Sequence, residues 1–357
     1  MATTITSAPS ESTPNLSSQL YSIEATTDKV KVVAEITRDP DGDIDKFYTA
    51  TLYAYNGTVE LADIGSLIEE QLRLKNKMYD TFEVKIDDAV ATFPVLHCEY
   101  ELSPDFDCKS CFLAAAGESV VTRLSSIDIH HWPTGSNVYN VKIIGLDAQG
   151  NTAALETTLT GNAAGTGGSF YVQKIVDYAL NPTDDNAGHP LAKVAYFAIW
   201  QGKMRKVYYY VDRPDALIFY FRNIFNAIEQ VAVVGTVTRK TKVDRDTAMC
   251  GGKLQGYNQS YERTYEVQTA PLTPSQVLEL EQMISSRQVQ LMQSNYDYDV
   301  IITDHTLESD NDDESLPSIK FTFRFVGRRP TIPDNNMGFM MVERNNVFTN
   351  EFSDEFV

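Results

Sequence analysis

Residues Ile319-Lys320-Phe321-Thr322-Phe323-Arg324-Phe325 alternate strictly between apolar and polar side chains. A period of two places Ile319, Phe321, Phe323 and Phe325 on one face of a strand and Lys320, Thr322 and Arg324 on the other. Stretches of this kind, separated by short turn signals, recur along the chain and limit the fold to one built from packed sheets. Lys29 to Ile36 alternates in the same way, with Val30, Val32, Ala34 and Ile36 together. Phe47–Tyr55 is a second strand, and Asn56-Gly57 has the positive-φ preference of a type I′ hairpin. Further strands are predicted over Thr81–Ile86, Val95–Leu102, Val138–Ile144 and Thr152–Leu159. After Ser169–Ala179 come Val194–Trp200 and Met204–Val211, joined by a turn at Gln201-Gly202, then Ala216–Phe221, Val231–Thr238, Tyr261–Gln268, Tyr296–Thr303 and Ile319–Val326. Nineteen Tyr and seventeen Phe suit pleated, half-buried surfaces.

Two helices interrupt the strands. Ile64, Leu67, Ile68 and Leu72 recur at helical spacing. Thr273 is the N-cap of a helix over 274–286, with Pro274 at its first position and Gln276 completing a capping box. Val277, Leu280 and Ile284 form its apolar stripe. The fold class is therefore mainly β with a few helices, an α+β chain of two sheet-based domains of sandwich or compressed-barrel type, each with a packed helix. The expected divisions are a polar N-terminal arm over 1–19, a first β-rich domain over 20–161, a Gly-rich linker over 162–168, a second β-rich domain over 169–328, and a C-terminal tail over 329–357. Length allows this, since 357 residues are enough for two cores.

The net charge is −19. Binding to duplex nucleic acid normally needs a basic face to displace counterions, so no specific nucleic-acid partner is expected. The N-terminus MATTITSAPSESTPNLSSQL lacks the basic and apolar regions of a secretory signal, and no apolar run approaches a bilayer span, so no membrane insertion is expected. Four Cys are too few for a disulfide scaffold in a chain of this length.

Catalytic motifs are missing: there is no G-x-S-x-G elbow, HExxH pair or Walker loop. The zinc candidates are Cys98, Cys108, Cys111 and His131, with His97 and His130 nearby. Cys108-Lys109-Ser110-Cys111 has the spacing that lets two thiolates share a metal. A second such pair is absent, and Cys98 falls on a core face, so buried inert thiols are favoured and neither metal nor cofactor is expected. Two acidic runs, Asp39 to Asp45 and Glu308 to Glu314, offer oxygen ligands but fit no calcium-loop register and read as solvated turns. Tyr208-Tyr209-Tyr210 resembles a sugar platform in composition, yet alternation sends Tyr209 to the face opposite its neighbours, which favours packing. His130-His131-Trp132-Pro133 reads as an exposed loop.

A distinctive order of residues runs from Phe219-Tyr220-Phe221-Arg222-Asn223-Ile224-Phe225-Asn226 through Val234-Gly235-Thr236 and Cys250-Gly251-Gly252-Lys253. It continues to Tyr265-Glu266-Val267-Gln268-Thr269 and Pro271-Leu272-Thr273. With Tyr53-Ala54-Tyr55-Asn56-Gly57 before a short helix, and Asn346-Val347-Phe348 to Glu355-Phe356 at the end, this resembles a family of virion proteins encoded by phages and prophages of gut Bacteroidetes. The resemblance spans most of the chain and rests on packing and turn residues. It implies a structural, non-enzymatic role in a bacteriophage tail or baseplate, in a virion assembled in the host cytoplasm, with other tail proteins and further copies of the chain as partners in a homo-oligomeric ring. A glycan-binding adhesin or receptor-binding module of the tail is the alternative, and a hydrolase acting on the host envelope a distant third.

Two segments suit such assembly. Arg239 to Gln255 is a long polar excursion, readable as a hairpin arm, whose Arg239, Met249 and Lys253 are candidate contacts. In the tail, Phe348, Phe352 and Phe356 recur every four residues and would line one side of a helical turn or two. That apolar side is expected to dock on an adjacent protein.

Overall fold

The structure is a computed structural model that describes residues 2–38, 45–103, 106–163, 166–181, 190–293, 296–308 and 317–326. The chain forms two compact units, the first from Met1–Lys109 together with Asn223–Ala227, the second from Ser110–Arg222 and Ile228–Val357. Strands dominate both, and three α-helices occur among the described residues.

Unit 1 contains β1 (Thr4–Ser7), β2 (Asn15–Leu16), β3 (Ser22–Thr26), β4 (Lys31–Arg38), β5 (Asp45–Tyr53), β6 (Thr58–Ala62), α1 (Ile64–Leu74), β7 (Tyr79–Ile86) and β8 (Ala89–Leu96). A five-stranded sheet runs β2-β8-β7-β4-β5 and a three-stranded sheet runs β1-β3-β6. Their inward residues share one core: Ile23 and Ala25 of β3, Val32, Ala34 and Ile36 of β4, Leu61 of β6, Phe82 and Val84 of β7, and Phe93 of β8. Ile64, Ile68 and Leu72 close it from α1, as their spacing predicts. Asn56 and Gly57 both take positive φ, as the hairpin turn requires.

Three expectations fail in unit 1. The N-terminal segment is no free arm: β1 pairs with β3, β2 lies parallel to β8, and Thr3, Leu16 and Ser17 are buried. Its polar residues are spent on backbone, with the Asn15 side-chain amide donating to the Pro94 carbonyl and the Ser17 hydroxyl donating to Cys98 O while accepting from Cys98 N. Val30, grouped by alternation with Val32, Ala34 and Ile36, precedes the strand and is 79% exposed, unlike the other three. The strand expected over Val95–Leu102 instead ends at Leu96: Asp87, at φ +53, turns the chain directly from β7 into β8, and in that register Leu96 meets Tyr79, the first residue of β7.

Unit 2 contains β9 (Glu118–Val121), β10 (Ser126–His130), β11 (Val138–Leu146), β12 (Thr152–Thr160), β13 (Gly167–Tyr171), α2 (Val172–Leu180), β14 (Lys193–Gln201), β15 (Met204–Tyr210), β16 (Leu217–Arg222), β17 (Ile228–Val233), β18 (Gly235–Cys250), β19 (Lys253–Thr269), α3 (Pro274–Ser285), β20 (Val289–Gln293), β21 (Tyr296–Glu308) and β22 (Ser318–Phe325). A five-stranded sheet, β12-β11-β14-β15-β9, and the β10–β13 pair surround one core with α2. A seven-stranded sheet, β17-β16-β20-β21-β22-β19-β18, builds a second core with α3. Ile319, Phe321 and Phe323 are buried in it, and Phe325 packs against it, as the alternation predicts.

The units do not divide at 162–168. β10 pairs with β13 from His130↔Gly167 to Ser126↔Tyr171, so the chain enters a sheet there. Its glycines serve close approach: a Cβ on Gly167, at φ +149, would lie 2.0 Å from the Ile129 carbonyl oxygen, and one on Gly161 would lie 2.4 Å from that of Gly167. The C-terminal tail, with Phe348, Phe352 and Phe356, lies outside the described residues.

Candidate functional site

β18 and β19 form a hairpin far longer than the sheet it grows from. β22 pairs with β19 only from Gln268↔Lys320 to Tyr265↔Phe323. Beyond that point the two strands continue as a ribbon from Lys240↔Thr264 to Cys250↔Lys253, with no third strand among the described residues. At the strand rise this is about 30 Å of projecting backbone. Gly251 and Gly252, at φ +60 and +79, make the two-residue turn at its end. A bulge between Arg245 and Asp246 twists it. Every residue from Lys240 to Gly256 is exposed.

The candidate contacts sit along this arm. Arg239, at its base, pairs with Tyr265 of the sheet, while Lys253 flanks the turn and Met249 lies one pair behind it. Met249 faces Leu254 across the strands, and each is 68% exposed, so the tip presents an apolar pair to solvent. The shaft is basic: residues 239–256 hold Arg239, Lys240, Lys242, Arg245 and Lys253 against Asp244 and Asp246, a net +3 on a chain of −19. Nothing in this stretch contributes to a core, and an isolated two-stranded hairpin is marginal in water.

A second feature lies in unit 2, outside the candidates taken from the sequence. In unit 2 the Lys206 ammonium lies 3.5 Å from Glu229 and 3.4 Å from Glu279, all three side chains at least 94% buried. It also stands 5.6 Å over the Tyr208 ring. Three elements supply the trio: β15, β17 and α3. Glu229 accepts the Ala115 N–H through both oxygens, at 2.9 and 3.2 Å. α3 adds two more ties, the Thr273 hydroxyl to Glu118 at 3.1 Å and the Gln282 amide to the Ala115 carbonyl at 2.9 Å. Two carboxyl groups beside one ammonium leave a surplus negative charge in a dry interior. Burial accordingly pushes the Glu279 carboxyl up to about 7, against the opposing pull of Lys206. Burial alone would lower Lys206, but Glu229 and Glu279 outweigh it and hold its pKa above the usual lysine value.

The sequence carried a signal for this trio. Alternation of Met204, Lys206 and Tyr208 places a lysine on the inward face of β15, where a lone cation demands partners. Reading the strand from Val231 leaves Glu229 out, since β17 begins three residues earlier at Ile228. Glu279 was missed because the stripe of Val277, Leu280 and Ile284 hides that Gln276, Glu279 and Met283 are buried as well.

The zinc candidates are not assembled. Among the described residues no three His, Cys, Asp or Glu stand close enough to share a metal ion. Cys98 is buried, its thiol directed at the Tyr100 carbonyl, and burial raises its pKa. Cys108 is buried too, its thiol pushed up to about 11 by desolvation, while Cys111 is half-buried. His131 is fully buried, contrary to an exposed loop. Its Nδ1 donates to the Trp132 carbonyl and its Nε2 accepts from Tyr139 Oη, both at 2.7 Å, which occupies both ring nitrogens; burial lowers its pKa. Tyr139 is pushed up to about 12 by burial.

Tyr208 is buried and stacked on Phe197, Tyr209 meets Tyr196 on the other face, and Tyr210 packs against the core with Tyr208, as alternation predicts. Of the acidic runs, Asp39, Asp41, Asp43, Asp310, Asp312, Asp313 and Glu314 lie outside the described residues. Among the described residues, no helix is long and apolar enough to cross a membrane. No protein-family model matches this chain, and no curated protein matches it.

Proposed function

We propose that this chain is a structural component of a bacteriophage tail or baseplate, working by assembly with neighbouring chains rather than by catalysis. The observation that carries the reading is the arm of β18 and β19. A ribbon about 30 Å long, exposed from Lys240 to Gly256 with none of those residues in a core, has little to hold it in one conformation on its own. An exposed strand edge of that length is an aggregation hazard unless it has a purpose. A neighbouring subunit supplies both the missing contacts and the purpose, and rigid sheet units with protruding ribbons suit closed rings and stacks. The phage setting rests on the resemblance over Phe219–Asn226, Cys250–Lys253 and Tyr265–Thr269. In this reading the chain resides in the virion, with other tail proteins and its own copies as partners.

The test is to shorten the arm. Joining Lys240 to Thr264 through Asn-Gly keeps the sheet pairing below and removes the ribbon. The trimmed protein is expected to stay soluble with unchanged circular dichroism and to be absent from particles. Infectious particles that contain the trimmed chain would reduce the arm to decoration.

Exposed aromatics keep a second reading in play. Tyr53 and Tyr55, at and just beyond the end of β5 in unit 1, are 72% and 80% exposed, an aromatic pair of the kind a glycan-binding module of the tail would use. Saccharide capture on a glycan array, lost in Tyr53→Ala with Tyr55→Ala, would favour that role.

A further inference from the structure

We propose that the arm docks on a second copy of this chain, its basic shaft against carboxylates of the copy and its Met249–Leu254 tip in an apolar contact. This rests on the assembly reading above and names the partner. The first ground is charge. With residues 239–256 at +3, the remainder of the chain carries −22. Packing copies of such a chain side by side brings like-charged surfaces together, which opposes association. A cationic projection that reaches across to the neighbour reverses that sign where contact is made.

The second ground is the chemistry along the ribbon. Lys240 and Lys242 face Glu266 and Asp244 in exposed pairs, which water screens and a better partner can recruit. Arg245 and Lys253 further out form no ion pair among the described residues. The remainder of the chain offers carboxylates in the matching state. Glu24 stands directly opposite Glu60 on an exposed sheet face, two like charges with no cation paired to either among the described residues.

The third ground separates a protein partner from nucleic acid. Asp244 and Asp246 interrupt the basic residues, and beside Lys253 the tip carries the exposed apolar pair Met249 and Leu254. A phosphate backbone rewards neither. A central apolar anchor with a charged surround is the usual layout of a protein interface.

The experiment mixes unlabelled and 15N-labelled full-length chains at low ionic strength and applies a carbodiimide, which joins only lysines and carboxylates already in contact. Mass spectrometry then reads which peptides are joined. Mixed-isotope links from the arm lysines Lys240, Lys242 or Lys253 to carboxylate peptides are expected. They should fall roughly tenfold in about 0.5 M salt, where the screening length drops to a few ångströms. They should also be lost when Met249→Asp and Leu254→Asp are introduced together with the lysines intact. Arm links found only within one chain, or mixed links indifferent to salt and to the tip substitutions, overturn the proposal. So does retention of a duplex DNA oligonucleotide that disappears on Lys240→Glu, Lys242→Glu and Lys253→Glu, in place of mixed links. If the trimmed arm bars the chain from particles while no mixed links form, the assembly reading survives and the second copy is the wrong partner.

Discussion

Lys206, Glu229 and Glu279 hold two carboxyl groups against one ammonium in a dry interior. Breaking a buried pair costs more than an exposed one gains, because the abandoned partner remains in a dry site. The cluster relieves its surplus negative charge by keeping a proton on Glu279 to higher pH than an ordinary carboxyl. That has a sign. In the unfolded chain Glu279 loses its proton near its ordinary 4.5, in the folded chain near 7. Between these values the folded state binds more protons, so this group's contribution to stability falls as pH rises through the window. Glu279→Gln keeps the shape and removes the titration. The stability of the parent relative to this variant should therefore decline from pH 5 to pH 7, by up to about 1.4 kcal/mol per pH unit at the steepest. Denaturant unfolding at several pH values measures it. A gap that stays level across that window would mean that Glu279 is ionised throughout. Only the inward Lys206 was legible in the sequence, since a lysine and two glutamates scattered over positions 206, 229 and 279 meet only through the register of separate strands and a helix.

Elements were legible where one local pattern decided them. The capping box of α3 forms as its residues predict, the Gln276 N–H donating to the Thr273 hydroxyl at 3.3 Å and the Thr273 N–H to Gln276 Oε1 at 3.0 Å. The β14–β15 hairpin turns at Gly202, in positive φ, and the excursion after Arg239 is the hairpin arm that its length suggested. Glycine was the misleading residue. The run at 162–168 has the composition of a linker, but the same freedom from a Cβ also lets two backbones touch, and only the fold distinguishes the uses. Gly167→Ala tests which applies. An added methyl group would press on the Ile129 carbonyl at a backbone angle that other residues rarely adopt. A loss of about 2 kcal/mol or more is expected, with the melting midpoint of the full chain falling by several degrees. A flexible linker would tolerate the change within about 0.5 kcal/mol.

At the scale of the whole molecule, the class was readable and the partition was not. Counting strands and helices gave a mainly β chain. Placing the division required knowing that β10 returns to pair with β13, a non-local register that no window of sequence contains. The same holds for Asn223–Ala227, which lie between β16 and β17 in sequence but complete unit 1, where the Asn226 amide donates to the carbonyls of Leu72 and Lys77 at the end of α1. Net charge, by contrast, is a whole-molecule property that can be taken straight from composition, and it makes two opposed demands. A chain at −19 repels itself when compact, so added salt should raise its thermal midpoint as that repulsion is screened. A cationic arm reaching for the carboxylates of another copy depends on the same fields with the opposite sign, so added salt should weaken association. Scanning sodium chloride from about 20 to 300 mM, over which the screening length falls from beyond 20 Å to below 6 Å, should raise the melting midpoint of dilute protein. Over the same range the weight-average mass of concentrated protein, measured by sedimentation, should fall toward that of one chain. The trimmed arm should leave the first trend in place and abolish the second. Association that strengthens with salt would assign the contact to apolar burial alone, and a midpoint that falls would mean that ion pairs within the fold outweigh its net repulsion.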